Sequence, residues 1–184
     1  MNANFEDRVD ALVTLSFAGD IPEDSAGMKR MMHNFIQRLR RRYQKAGKRL
    51  KYIYCMEIGP RGSRHVHMML SQADLQELVD AWGYGPVNVQ PLWSKGQYAD
   101  IAAYFIKYAL KTAETEGGGK KIGQLYTPSR GLCRPKVTKT IVHARTFRES
   151  IRDRRGWRLD KNSIRRGVHE AMGTPYLEYT FVRD

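Results

Sequence analysis

The sequence predicts an α+β fold with about five strands and several helices within 184 residues. Three observations predict it. Short segments such as residues 11–17 and 64–70 are rich in apolar and β-branched side chains, as strands are. Residues 28–43 instead repeat apolar side chains at the spacing of a helix. A Gly-Pro-Arg-Gly-Ser stretch at residues 59–63 is a turn signal between two strand-like segments, so we expect a hairpin there.

The elements of the first two thirds of the chain follow in order. The first strand, residues 11–17, alternates apolar with polar side chains and ends in a turn that contains glycine and proline. Ser25 can cap the helix that follows, whose methionine-rich stripe is expected in the core. Arginines crowd the last turns of this helix, where cations interact favourably with the helix dipole, and Gly47 ends it. Further strands are predicted at residues 50–58, 64–70 and 87–93, and further helices at residues 73–82 and 98–113.

The last third of the chain is less regular. We expect a loop at residues 126–135, helices within 140–155 and at 160–171, and a closing strand at 176–182. The sequence shows no internal repeat and no domain boundary. It therefore predicts a single domain over residues 1–184, with a core at about 11–112 and a basic C-terminal extension at about 122–184.

The formal net charge of +13 predicts a polyanionic partner, most simply nucleic acid, although a solvated basic surface would give the same charge. The chain has no apolar run of the length that crosses a membrane, and its first ten residues do not resemble a signal peptide. Cys55 and Cys133 are isolated, which argues against a structural zinc site and fits a reducing compartment. We therefore expect a cytoplasmic protein.

Basic side chains near turns and helix ends are the candidate contacts to DNA phosphates. One group lies in the first helix, others flank the predicted hairpin turn, and two follow a Gly-Gly-Gly stretch that lacks the pattern of a phosphate-binding P-loop. The candidates are Arg38, Arg41, Arg42, Arg61, Arg64, Lys120, Lys121 and Arg130.

Two histidines two residues apart form the candidate metal site. His65 and His67 lie on a predicted strand, so their side chains share one face of the sheet. If the turn spans residues 59–63, Glu57 lies directly opposite His65 and adds an oxygen ligand, whereas a slip of one residue would separate them. Such a mixed site with open positions suits Mg²⁺ or Mn²⁺ and a substrate phosphate. The alternative is a pair of surface histidines.

Two tyrosines on the helix predicted at residues 98–113 are the candidate nucleophiles. At 100° per residue Tyr104, Lys107, Tyr108 and Lys111 fall together, away from an apolar side formed by Ile101, Ala102, Phe105, Ile106 and Ala109. A phenol with a pKa near 10 is a poor nucleophile, and a nearby lysine favours the phenolate. Its attack on DNA would give a phosphotyrosine and a free 3′-hydroxyl. The alternative is that the tyrosines only pack in the core.

Together these features resemble the HUH endonuclease superfamily, specifically the rolling-circle replication initiators of phages and plasmids. HUH stands for His-hydrophobic-His, which residues 65–67 match as His-Val-His. The family's Tyr-x-x-Lys-Tyr-x-x-Lys motif is matched by residues 104–111 without a gap. A weak first motif is similar to residues 11–17, so the likeness spans about residues 11–112.

The resemblance implies an antiparallel, ferredoxin- or RRM-like sheet with the HUH pair on a central strand and the tyrosine helix alongside. It implies a metal held by both histidines and an upstream acidic residue, here Glu57. It also implies nicking of a single-stranded or stem-loop origin, attachment to the 5′-phosphate, a 3′-hydroxyl primer and later rejoining. The helical pattern leaves open which tyrosine attacks first, and the family pattern favours Tyr108, with Tyr104 serving a second transfer.

Other activities fit parts of the sequence. The chain has no Walker motif and hence no helicase domain, so we expect a host helicase as partner. Single-strand transposases of the HUH type share this order of motifs but normally have one tyrosine. Relaxases usually place the tyrosine before the histidines. A non-catalytic, RRM-like nucleic-acid-binding module would explain the charge but not two lysine-flanked tyrosines.

Overall fold

The computed structural model of the chain describes residues 1–19, 22, 24–58, 62–93, 97–117, 126–152 and 154–183. Its residues fall into two compact units, Met1–Arg134 and Pro135–Asp184, which are described separately below. Two compact units can belong to one functional domain, so the predicted single domain with a basic extension stays a prediction. None of the helices among these residues is long and apolar enough to cross a membrane.

The first unit contains one antiparallel sheet of five strands in the order β4-β1-β3-β2-β5. The strands are β1 (Ala11–Ser16), β2 (Tyr52–Ile58), β3 (Arg64–Leu70), β4 (Val87–Pro91) and β5 (Thr127–Pro128), and the helices are α1 (Ser25–Lys45), α2 (Leu75–Trp82) and α3 (Ala99–Gly117). The predicted α+β fold with a five-stranded antiparallel sheet is therefore confirmed. The sequence predicts a loop where the two residues of β5 pair with β2.

Alternation along the strands gives the sheet two different faces. On β3, Val66, Met68 and Leu70 belong to a core that includes α1 and α2. Met69, on the other face, belongs to a second core that includes α3 and the N-terminal segment. His65 and His67 have the same parity as Met69, because successive strand residues point to opposite faces. The histidines therefore face α3, and α1 covers the opposite face.

The larger core forms where α1 and α2 meet the sheet. The predicted methionine-rich stripe of α1 is buried there, and Trp82 of α2 is fully buried against the rings of Phe17, Phe35 and Tyr84. The Trp82 indole N–H donates to the backbone carbonyl of Ser16 at 2.8 Å, so its polar atom is satisfied. The N-cap of α1 is Asp24, one residue before the predicted cap, because its side chain accepts from the backbone N–H of Gly27.

Replacing Tyr43 with phenylalanine is expected to lower the free energy of unfolding by about 1–2 kcal/mol. The Tyr43 hydroxyl is buried and donates to the backbone carbonyl of Ser71 at 2.5 Å, so the variant leaves that carbonyl without its partner. Urea denaturation measures the change. The matched control, Tyr126→Phe at a half-exposed side chain, is expected to stay within about 0.5 kcal/mol of the parent. A Tyr43→Phe protein as stable as the parent would contradict this role.

The smaller core lies under α3. Phe105 and Ala109 of this helix are buried with Ile53 and Cys55 of β2. The sequence predicts that Ile106 lies on this apolar side, but Ile106 is 48 % exposed. The helix is rotated so that Ile101, Phe105 and Ala109 face the sheet, with two tyrosines at the margin of the same core. The helical pattern alone cannot fix this rotation, because residues 105 and 106 are only 100° apart.

The second unit is built on a two-stranded antiparallel ribbon, β6 (Trp157–Val168) with β7 (Pro175–Arg183). The helix predicted at residues 160–171 is wrong, and residues 140–155 contain only a short 3₁₀ helix, Ala144–Phe147, among those described. The closing strand predicted at 176–182 lies within β7. Gly173, in the turn between β6 and β7, has a positive φ of 63°. The pairing of β6 with β7, and not the local helical spacing, decides the conformation of residues 160–171.

Candidate active site

The candidate metal ligands lie on two adjacent strands at the middle of the sheet. His65 and His67 are on β3, the third strand of five, and Glu57 is on β2. Glu57 pairs with His65 in the register that a turn at residues 59–63 predicts. On the other side, β1 places Thr14 opposite His67. The hairpin therefore brings one carboxylate and two imidazoles to the same face.

One carboxylate oxygen of Glu57 lies near a ring nitrogen of each histidine. Glu57 Oε2 lies 3.0 Å from His67 Nε2 and 3.7 Å from His65 Nδ1. The side chains of Glu57 and His67 are 11 % and 6 % exposed, whereas that of His65 is 34 % exposed. The cluster thus opens to solvent at His65 and is closed at His67.

The other nitrogen of His67 meets two hydroxyl groups. Its Nδ1 lies 3.3 Å from Thr14 Oγ1 and 3.4 Å from the Tyr104 hydroxyl. Burial is the main cause that lowers the pKa of His67, while its hydrogen bond with Glu57 acts in the opposite direction. A histidine that stays neutral keeps a lone pair for a metal ion. Sequence reasoning misses Thr14, because nothing in the sequence reveals that β1 pairs with β3.

The tyrosines of α3 lie directly over His67. The His67 ring centroid is 5.0 Å from that of Tyr104 and 5.1 Å from that of Tyr108. The two tyrosine rings are 4.4 Å apart, and both side chains are half-buried at the margin of the smaller core. The sequence predicts that these tyrosines lie away from the apolar face of the helix, and they lie beside it instead. The consequence is that both tyrosine rings lie close to the ring of His67.

The phenol of Tyr104 is harder to ionise than an ordinary one. Burial first, and then the neighbouring Tyr108, raises the pKa of Tyr104 to about 12. At neutral pH this hydroxyl therefore keeps its proton and can donate a hydrogen bond to His67.

The predicted lysine partners are less closely tied to the cluster. Lys107 is exposed on α3, and the side chain of Lys111 lies outside the described residues. Their proposed effect on the phenols stays a prediction.

Three of the candidate DNA contacts lie on the face of the sheet opposite the tyrosines. Arg38, Arg41 and Arg42 are on α1, which covers the opposite face of the sheet. Arg38 donates to the backbone carbonyl of Trp82 at 3.1 Å, and Arg42 lies 3.5 Å from a carboxylate oxygen of Asp80. These contacts stabilise the packing of α1 on α2.

The remaining basic candidates are divided between the edge of the cluster, the β5 region and undescribed segments. Arg64 begins β3 beside His65 and donates to the backbone carbonyl of Gly62 at 2.6 Å. Arg130 is exposed and follows β5. Arg61, Lys120 and Lys121 lie outside the described residues.

The donor set is chemically suited to a divalent ion. Two ligand atoms at right angles on an octahedral ion are about 3 Å apart, which is close to the separation of Glu57 Oε2 and His67 Nε2. Within the described part of the chain, no three or more His, Cys, Asp or Glu side chains are already arranged to hold a metal. A metal would therefore displace the hydrogen bond between Glu57 and His67, and the metal site stays a prediction.

Comparison with known proteins identifies the family. The model of a family described as replication-associated protein ORF2 matches residues 10–113, which is more than half of the chain. This range contains β1 to β4, the histidine pair and both tyrosines of α3. No curated protein and no solved structure matches the chain. The match over this range shows that the chain belongs to the replication-associated protein ORF2 family.

Proposed function

We propose that the protein is a rolling-circle replication initiator, a metal-dependent endonuclease and strand transferase that nicks single-stranded origin DNA. The observation that carries this proposal is the approach of both α3 tyrosines to His67, which in turn contacts Glu57. Packing in the core alone does not require a tyrosine to contact a histidine that is bonded to a carboxylate. Membership of a replication-associated family is consistent with this role.

Glu57, His65 and His67 are the residues that would hold Mg²⁺ or Mn²⁺. When bound, the ion would make the scissile phosphate more electrophilic and orient it. The exposed side of His65 leaves room for that phosphate. The basic Arg64 at the start of β3 is suited to bind the neighbouring phosphate of the strand.

In the proposed reaction the Tyr108 oxygen attacks phosphorus and loses its proton to solvent. The phosphorus–O3′ bond breaks, and the departing 3′-oxygen takes up a proton. The protein is then linked to the 5′-phosphate, and the free 3′-hydroxyl serves as primer. Rejoining is the reverse: a 3′-hydroxyl attacks the phosphotyrosine and releases the phenol.

Tyr104 is assigned to the second transfer. The proximity of its ring to that of Tyr108 allows a second attack from the same helix. The partners we propose are a single-stranded or stem-loop origin and a host helicase, and the compartment is the cytoplasm.

A doubly labelled oligonucleotide tests the reaction. A stem-loop DNA carrying one dye at its 5′ end and another at its 3′ end is incubated with the protein and Mn²⁺. We expect only the 3′ dye to migrate with denatured protein, while the 5′ fragment ends in a hydroxyl that a polymerase extends. Peptide mapping by mass spectrometry then locates the adduct. If no candidate stem-loop becomes attached while all of them still bind, the protein is a binding module.

Thr14→Val is expected to reduce Mn²⁺ affinity and nicking about tenfold. The Thr14 hydroxyl contacts His67 Nδ1, so it orients the imidazole whose Nε2 faces Glu57. Valine keeps the shape of threonine but removes this partner. Calorimetric titration with Mn²⁺ and a nicking assay measure the two effects, and Thr138→Val at an exposed residue is the control. Unchanged Mn²⁺ affinity would remove Thr14 from the site.

A further inference from the structure

A groove lies on the face of the sheet opposite the tyrosines. It runs between α1 and the edge formed by β2 and β5, and its volume is about 660 Å³. This volume is in the range of sites that hold small molecules. Besides His33, Gln37 and Thr127, its polar and aromatic lining includes three cations, two aromatic rings and a hydroxyl, namely Lys29, Arg40, Arg130, Tyr52, Tyr54 and Ser129. The lining, as far as the structure describes it, contains no acidic side chain.

No carboxylate in the part of the chain that the structure describes pairs with the cations of the groove. Among the described residues, Lys29, Arg40 and Arg130 form no ion pair with Asp or Glu. In contrast, Arg42 of the same helix pairs with Asp80, and Lys48 pairs with Glu77. The groove therefore concentrates positive charge on one side of α1.

Two of these cations lie close to an aromatic ring. Burial, followed by Tyr54, raises the pKa of Tyr52, whereas Arg40 and Arg130 lower it. Both arginines line the groove together with Tyr52, and each opposes the effect of burial on that phenol. Arg40 comes from α1 and Arg130 from the segment after β5, so two separate parts of the chain each supply a cation to the groove.

The aromatic wall of the groove is formed by two largely buried rings, since Tyr52 and Tyr54 are each 8 % exposed. The rings of Tyr52 and Tyr54 are stacked, with centroids 5.9 Å apart and planes inclined by 29°. Ser129 borders this wall, and its hydroxyl accepts from the backbone N–H of Tyr52 at 3.0 Å. That hydroxyl keeps its own hydrogen for another acceptor. Cations, aromatic rings and a hydroxyl donor that line one groove are together suited to a phosphate that carries a base.

We propose that this groove binds one nucleotide of single-stranded DNA, with its phosphate between Arg40 and Arg130 and its base against Tyr52 and Tyr54. A base in a duplex is stacked on its neighbours and unavailable to an aromatic wall, so the occupant is a single strand. The groove uses neither tyrosine of α3. It is a second DNA site, which goes beyond the proposed nicking reaction.

Binding of a labelled twelve-residue thymidine oligonucleotide in EDTA, followed by fluorescence anisotropy, tests the groove without cleavage. Arg40→Gln and Arg130→Gln are each expected to weaken binding about tenfold. The matched control is Arg30→Gln, which removes the same charge from another exposed position of α1 that does not line the groove. We expect a change of less than about twofold for the control, and circular dichroism verifies that each variant is folded.

Two outcomes would overturn the proposal. If Arg30→Gln weakens binding as much as Arg40→Gln, the effect is general attraction to a basic surface. If neither groove variant changes the affinity, the strand does not enter the groove.

Photocrosslinking locates the base directly. An oligonucleotide that carries 5-iodouracil is expected to crosslink to Tyr52 or Tyr54, and crosslinks only to other peptides would contradict the assignment. The double variant Tyr104→Phe, Tyr108→Phe is expected to retain this crosslink. Failure of the nicking chemistry is thus distinguishable from failure of the groove.

Discussion

Replacing Tyr108 with phenylalanine is expected to abolish covalent attachment to DNA and to slow the first nick by at least about 10³-fold. The variant removes only the phenolic oxygen, and the ring can still pack against His67 and Tyr104. Binding of uncut DNA is therefore expected to remain within about threefold of the parent, since base and phosphate contacts do not involve this oxygen. Denaturing gels quantify the adduct, and anisotropy quantifies the binding.

Tyr104→Phe is the matched control, because it makes the same change one helical turn earlier in the same cluster. This variant loses the contact of the Tyr104 hydroxyl with His67 Nδ1, so it is expected to form the first adduct within about tenfold of the parental rate. It is expected to fail in transfer to a second strand. If Tyr104→Phe instead loses the first adduct while Tyr108→Phe keeps it, the two roles are exchanged. If both single variants form the adduct fully, the phosphotyrosine mechanism is wrong.

Glu57→Gln is expected to weaken Mn²⁺ binding and Mn²⁺-dependent nicking by at least about 100-fold. Glutamine has nearly the same shape and can still accept a hydrogen bond from His67, but it lacks the negative charge that attracts a divalent ion. Calorimetry measures the Mn²⁺ affinity, and the nicking rate is followed across a Mn²⁺ titration. Part of the lost activity is expected to return at high Mn²⁺ concentration.

The control for this variant is Glu77→Gln in α2, on the other face of the sheet. It removes the carboxylate that pairs with Lys48. It is expected to leave both Mn²⁺ affinity and nicking unchanged. A Glu57→Gln protein with parental Mn²⁺ affinity would exclude the cluster as the metal site, whatever its activity.

Particular residues show which features of the structure can be predicted from the sequence. The register of Glu57 against His65 is predictable because one short turn fixes the pairing of the two strands. The position of Thr14 is not, since it depends on β1 pairing with a strand some fifty residues away. The same holds for the groove, whose walls come from α1, β2 and residues 127–130. Local patterns specify a hairpin, whereas contacts between distant segments need the folded chain.

Two predictions that the structure contradicts, the buried position of Ile106 on α3 and the helix at residues 160–171, have the same physical cause. The rotation of α3, which exposes Ile106, is set by packing on β2, and no pattern within the helix decides between neighbouring apolar positions. The ribbon β6–β7 forms where the sequence predicts a helix, because pairing with a partner strand outweighs a weak local preference. In both cases tertiary contacts override the local signal.

The hairpin that carries Glu57, His65 and His67 also has a consequence for the order of folding. All three side chains come from β2 and β3, which are joined by a short connection, so the entropy lost in closing that loop is small. The tyrosines of α3 arrive from a segment about forty residues further along, at a larger entropic cost. We therefore expect Glu57, His65 and His67 to come together early in folding, when the hairpin forms. The tyrosines of α3 are expected to pack against them late, so that the nucleophile and the metal ligands are brought together only when folding is nearly complete.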